Sequence, residues 1–65
     1  MRIRLNGAER ETQAATISIL LEELRLPPQM VLVEHNGHAP PRADWPGVQL
    51  RDGDAVEIMR IAAGG

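Results

Sequence analysis

Met1-Arg2-Ile3-Arg4-Leu5-Asn6-Gly7-Ala8-Glu9-Arg10-Glu11-Thr12 opens the chain and decides how the rest must be arranged. Met1, Ile3 and Leu5 alternate with Arg2, Arg4 and Asn6, the period of two that marks a strand with one buried face. Asn6-Gly7 follows at once. Both residues tolerate positive φ, so the pair turns the chain back as a hairpin. Ala8 to Thr12, with Glu9 and Glu11 alternating, is then the returning strand.

The hairpin leaves one face to be covered, and the next segment is suited to cover it. The Thr16 hydroxyl caps a helix on which Ile17, Leu20, Leu21 and Leu24 form a single apolar stripe. Glu22, Glu23 and Arg25 lie off that stripe, and Ile19, about 200° round from Ile17, points to solvent. Pro27-Pro28 ends the helix, which is too short to persist without tertiary packing. Met30-Val31-Leu32-Val33 is an apolar run of strand formers that reaches Glu34-His35-Asn36-Gly37. A loop rich in turn residues spans His38 to Gly47, a brief strand is expected at Val48 to Leu50, and Asp52-Gly53-Asp54 is a turn. Ala55 to Ile61 is the last strand, with Val56 and Ile58 on one face and Glu57, Met59 and Ile61 on the other. Hairpin, helix and further strands give an α+β fold, a mixed four- to five-stranded sheet packed on one short helix. The last strand is expected in the centre beside the first. Residues 1–61 are then the domain, and 62–65 a flexible tail ending in Gly64-Gly65.

Composition narrows what such a domain does. At 65 residues it lies near the lower limit for folding without staples, and it has no cysteine for disulfide, thiolate metal site or thiol nucleophile. Nine acidic residues against seven basic ones give a net charge of −2, and the basic residues, all arginine, are scattered. That pattern leaves no nucleic-acid footprint. With no apolar leader and no long hydrophobic span, a cytoplasmic protein is expected. His35-x-x-His38 has the spacing of two metal ligands but lacks a third, so both read as loop histidines and no metal is expected. Asp52-Gly53-Asp54 lacks the later ligands of a calcium loop. Glu22-Glu23 reads as a solvated helix face, and Trp45 as a packing anchor for the long loop. Met59 and Ile61, edged by Arg2 and Arg4 of the first strand, form a partner-docking patch or an ordinary sheet face, with equal weight on each.

One family combines these features. Asn36 with Pro41-Arg42-x-x-Trp45, then Leu50-x-x-Gly53-Asp54-x-Val56-x-Ile58, then terminal Gly64-Gly65, together with the helix stripe, resemble the ThiS-type sulfur carriers of thiamin biosynthesis. Those carriers have the ubiquitin-like β-grasp fold, and the resemblance covers essentially the whole chain. It implies that a ThiF-type adenylyltransferase uses ATP to adenylate the Gly65 carboxylate, which becomes a thiocarboxylate. Sulfur would come from a donor system such as a cysteine desulfurase and pass to thiazole synthase. Gly64 and Ala63 would give the terminus a slender approach, and the carrier would hold no cofactor, catalytic residue or metal of its own. His35 departs from the family where an apolar residue is common, and Pro40, before Pro41, where a β-branched one is common. The alternatives are a related carrier for molybdopterin or cysteine synthesis, a ubiquitin-like protein modifier, or a plain binding module.

Overall fold

The computed structural model describes residues 1–61. β1 (Arg2–Leu5) and β2 (Ala8–Glu11) form the opening hairpin, with Leu5 opposite Ala8. Asn6 at φ 51° and Gly7 at φ 83° make the two-residue turn that the sequence demands. The helix α1 (Ile17–Leu24) follows, capped by Thr16, whose hydroxyl oxygen accepts the Ile19 N–H at 3.2 Å. β3 (Val31–His35) and β4 (Ala55–Arg60) complete a sheet in the order β2-β1-β4-β3. β4 runs parallel to β1 and antiparallel to β3, so the last strand is central, as expected.

The helix stops before its prolines do any work. Arg25 adopts the left-handed conformation at φ 58°, and its N–H reaches the Glu22 carbonyl while the Leu26 N–H reaches Leu21 at 2.9 Å. This pair of bonds is the Schellman cap, which satisfies two otherwise orphaned carbonyls. Pro28 then begins a short 3-10 turn (Pro28–Met30), so β3 starts at Val31 rather than at Met30. Val48 to Leu50 is not a strand. Ile17 N–H bonds to Val48 O and Leu50 N–H to Ala15 O, an isolated bridge beside the helix entrance that leaves a four-stranded sheet.

Ile3, Val31, Val33 and Val56 point from the sheet onto Ile17, Leu20 and Leu21 of the helix, and all seven are essentially inaccessible to solvent. Each fully buried aliphatic side chain contributes about 1.5–3 kcal/mol, which lets a chain without disulfides fold. Ile19 is exposed, as its angle on the helix predicts. A second 3-10 turn (Arg42–Gly47) packs on α1 and inserts Trp45 into the core, where its indole N–H donates to the Pro40 carbonyl at 2.9 Å. Arg42 stacks over that ring at 5.4 Å while donating to the carbonyls of Pro28 and Val31. Trp45 is thus the anchor of the long loop. Glu23 is not merely solvated: it accepts from Arg10 at 3.0 Å and from the Thr12 hydroxyl at 2.8 Å, tying the helix to β2.

Candidate functional site

The fold holds β4 from both sides with the two Asn-Gly turns. Asn6 reaches beyond the end of β1, accepting the Ile58 N–H at 2.8 Å and donating to the Ile58 carbonyl at 3.3 Å. Its side-chain amide stands in for the next peptide of the parallel ladder. On the other flank, Asn36 at φ 50° and Gly37 at φ 84° turn the chain after β3, and the Asn36 side-chain oxygen accepts the Ala55 N–H at 2.8 Å. Both asparagines adopt the left-handed backbone that their short polar side chains tolerate.

The entrance to β4 is fastened by Asp54. His35 Nε2 lies 2.8 Å from its carboxylate, the Asn36 amide donates at 3.1 Å, and the Arg51 N–H donates at 2.9 Å. Burial alone would raise the Asp54 pKa, but the hydrogen bonds from His35, Asn36 and Arg51, aided by the His35 charge, hold it below the ordinary 3.8. A folded-state pKa below the unfolded one means that this carboxylate stabilises the fold above about pH 4 and ceases to do so as pH falls through the lowered value. Asp54→Ala is therefore expected to lose about 1–3 kcal/mol at neutral pH, because His35, Asn36 and the Arg51 N–H all lose their acceptor. Denaturant titrations from neutral pH downward should show a smaller acid-induced loss in the variant than in the wild type. His35 and His38 meet through their backbones, with His35 N–H on the His38 carbonyl, and the His35 ring is committed to Asp54.

β4 is followed in the sequence by Ile61 and residues 62–65. Gly65, Gly64 and Ala63 lie outside the described residues. Immediately before them, β3 and β4 place two apolar cross-strand pairs in succession on the sheet face away from the helix. Leu32 is opposite Met59, and one step further the Ile61 N–H bonds to the Met30 carbonyl at 2.8 Å. All four side chains are exposed, Leu32 by 52% and Met59 by 46%. Exposed apolar groups gathered this way mark interaction surfaces, whereas scattered ones do not. Leu32 and Met59 also line a groove of about 260 Å³ whose far wall is Pro40, Pro41, Arg42 and Trp45.

The structure does not bring Arg2 and Arg4 to this patch. Because β1 and β4 are parallel with Arg4 opposite Ala55, Met59 lies four residues, about 13 Å, further along the sheet. Arg2 instead pairs with Glu9 and Glu11, and Arg4 donates to the Gly7 carbonyl at 2.9 Å. The residues that do flank Met59 and Ile61, Leu32 and Met30, escaped the sequence reading. An apolar run such as 30–33 looks buried on both faces, and only the open outer face of this edge of the sheet exposes alternate members.

A mixed sheet in the order β2-β1-β4-β3, closed around one helix, with its central strand leading to the chain terminus, defines the ubiquitin-like β-grasp class. The sequence profile of the ThiS family matches residues 3–65, and the chain belongs to that family. The crystal structure of the thiamine biosynthesis protein ThiS from Geobacter metallireducens superimposes with a TM-score of 0.84 at 30% identity, with all of both chains covered. The solution structure of a thiamine biosynthesis protein from the same organism gives 0.81 at 30% identity, covering all of this chain and 88% of that one. A thiazole synthase from Paramagnetospirillum magneticum is 36% identical over 66 residues. That match takes in the whole of this chain but only 20% of the relative, so the chain spans about a fifth of that protein's length. Among the described residues, no helix is long and apolar enough to cross a membrane.

Proposed function

We propose that this protein is a sulfur carrier for the thiazole moiety of thiamin, with Gly65 as the carrying residue. The observation that supports it most is membership of the ThiS family over residues 3–65, which includes the Gly64-Gly65 end. A carboxylate is a poor electrophile. Reaction of its oxygen with the α-phosphorus of ATP expels pyrophosphate and leaves a mixed anhydride with AMP. A persulfide sulfur of the donor system then attacks the acyl carbon and expels AMP. A thiol reductant cleaves the S–S bond of the acyl disulfide so formed, which releases a thiocarboxylate that is both nucleophile and cargo. Family membership supports the carboxyl of Gly65 as the place for that sulfur, and the 65 residues contain no cysteine to carry it as a thiol. ATP is used by an activating ThiF-type adenylyltransferase, and the carrier contributes the substrate group rather than catalytic residues.

The thiazole synthase relative favours the thiamin branch over carriers for molybdopterin or cysteine synthesis, since a segment resembling this chain occupies a fifth of that protein. The thiocarboxylate is then handed to a thiazole synthase active site as acceptor. Intact-mass spectrometry after incubation with ATP, the activating enzyme and a sulfur source tests the reading. One oxygen-for-sulfur exchange is the carrier's result, and covalent adducts with other proteins are a modifier's.

The docking surface is the apolar pair Leu32–Met59 with Met30–Ile61. Leu32→Asp and Met59→Asp each place a charge where a partner must exclude water. Because both side chains are already exposed, the fold should survive, with thermal unfolding little changed. Affinity for the activating enzyme, measured by titration calorimetry, should fall about tenfold to a hundredfold. Arg4→Ala, at the other end of the face, should bind as the wild type does.

A further inference from the structure

Next to the apolar pairs lies a feature that the chemistry of the tail does not use. Glu34 and Glu57 are register partners on β3 and β4, one step beyond Leu32–Met59 and on the same outer face. Both are exposed, and among the described residues neither has an ion-pair partner. Like charges directly opposite in an antiparallel pair lower sheet stability. The other acids of this face are matched differently: Glu9 and Glu11 share the Arg2 guanidinium at 3.4 and 3.3 Å, and Glu11 also meets the N-terminal amine. The paired strands thus hold two uncompensated carboxylates against an apolar patch.

We infer, resting on the carrier reading above, that the enzyme which holds the terminal carboxyl docks on this face and sets one cationic side chain between Glu34 and Glu57. Position gives the first reason. Met30–Ile61 stands immediately before residue 62, and four residues span at most about 14 Å, so an enzyme closed around Gly65 overlies this end of the sheet. Desolvation gives the second. Covering two unpaired carboxylates is strongly unfavourable unless the partner supplies a cation. The partner surface is therefore an apolar hollow for Leu32 and Met59 with an arginine or lysine beside it. A guanidinium suits two carboxylates best, because its planar fork donates to both. Such a pairing speeds encounter and makes it sensitive to salt.

The test uses the full chain, the activating enzyme, ATP and a sulfur source, and reads affinity and sulfur uptake separately. Glu34→Gln/Glu57→Gln should fold as well as the wild type or better, since repulsion is removed. Its affinity for the enzyme should be about tenfold to a hundredfold weaker, with a flatter dependence on salt. Glu22→Gln removes one such charge from the exposed side of the helix and should change neither. Wild-type affinity and salt dependence in the double variant, alongside normal sulfur uptake, would overturn the docking inference alone. Charge-sensitive binding with no sulfur uptake by the wild type would leave the docking face standing and overturn the carrier reading.

Discussion

Trp45→Ala should lower stability by about 3–5 kcal/mol, the cost of emptying an aromatic site in a close-packed core. A domain of this size is stable by only about 3–10 kcal/mol, so the variant should be largely unfolded at moderate temperature or low denaturant. The loss comes from two sources. The indole is 3% exposed and joins the core between helix and sheet, and its N–H fixes the Pro40 carbonyl. Arg42, which stacks on the ring, also ties the loop to the carbonyls of Pro28 and Val31. Removing the ring therefore frees the wall of the groove beside Leu32 and Met59 as well as opening a cavity. Circular dichroism during denaturant titration measures the effect. A loss below 1 kcal/mol would show that the loop is held without its anchor.

Deleting Gly65 should have the opposite profile, an intact fold with no function. The core is built from residues between Ile3 and Val56, so the thermal midpoint should not move. The carboxylate would then sit on Gly64, one residue or about 3.5 Å short of its place in the activating site. Displacements of 1 Å already reduce rates by about a hundredfold when reacting atoms must be aligned. Thiocarboxylate formation, followed by intact mass, should fall at least that far while Leu32 and Met59 still dock. A plain binding module would tolerate the deletion.

Much of this was legible in the sequence because local signals agree with the fold. The alternation of Met1, Ile3 and Leu5, the Asn6-Gly7 turn and the Ile17-Leu20-Leu21-Leu24 stripe each name one element and one buried face. What escaped depends on register between distant segments. Nothing local announces that the Asn6 side chain will hydrogen-bond Ile58, 52 residues away, or that Asn36 will clasp Ala55. The same gap misplaced Arg2 and Arg4. That β1 and β4 are neighbours follows from topology, but which residues face each other follows from packing, and the parallel register carries the arginines to the far end. His35 looked like an isolated loop histidine because its partner, Asp54, belongs to a different turn. The sequence marks the helix end at the prolines, because a left-handed arginine such as Arg25 has no sequence signature comparable to glycine.

The measurement that goes most directly to the central claim is the location of the sulfur. After incubation with ATP, the activating enzyme and a sulfur source, the protein is cleaved and its C-terminal peptide fragmented in the mass spectrometer. The account predicts a single oxygen-for-sulfur exchange confined to the Gly65 carboxyl, absent without ATP. An unmodified terminus under conditions where the enzyme binds the protein, or a Gly65 joined by an amide bond to another protein, would contradict it.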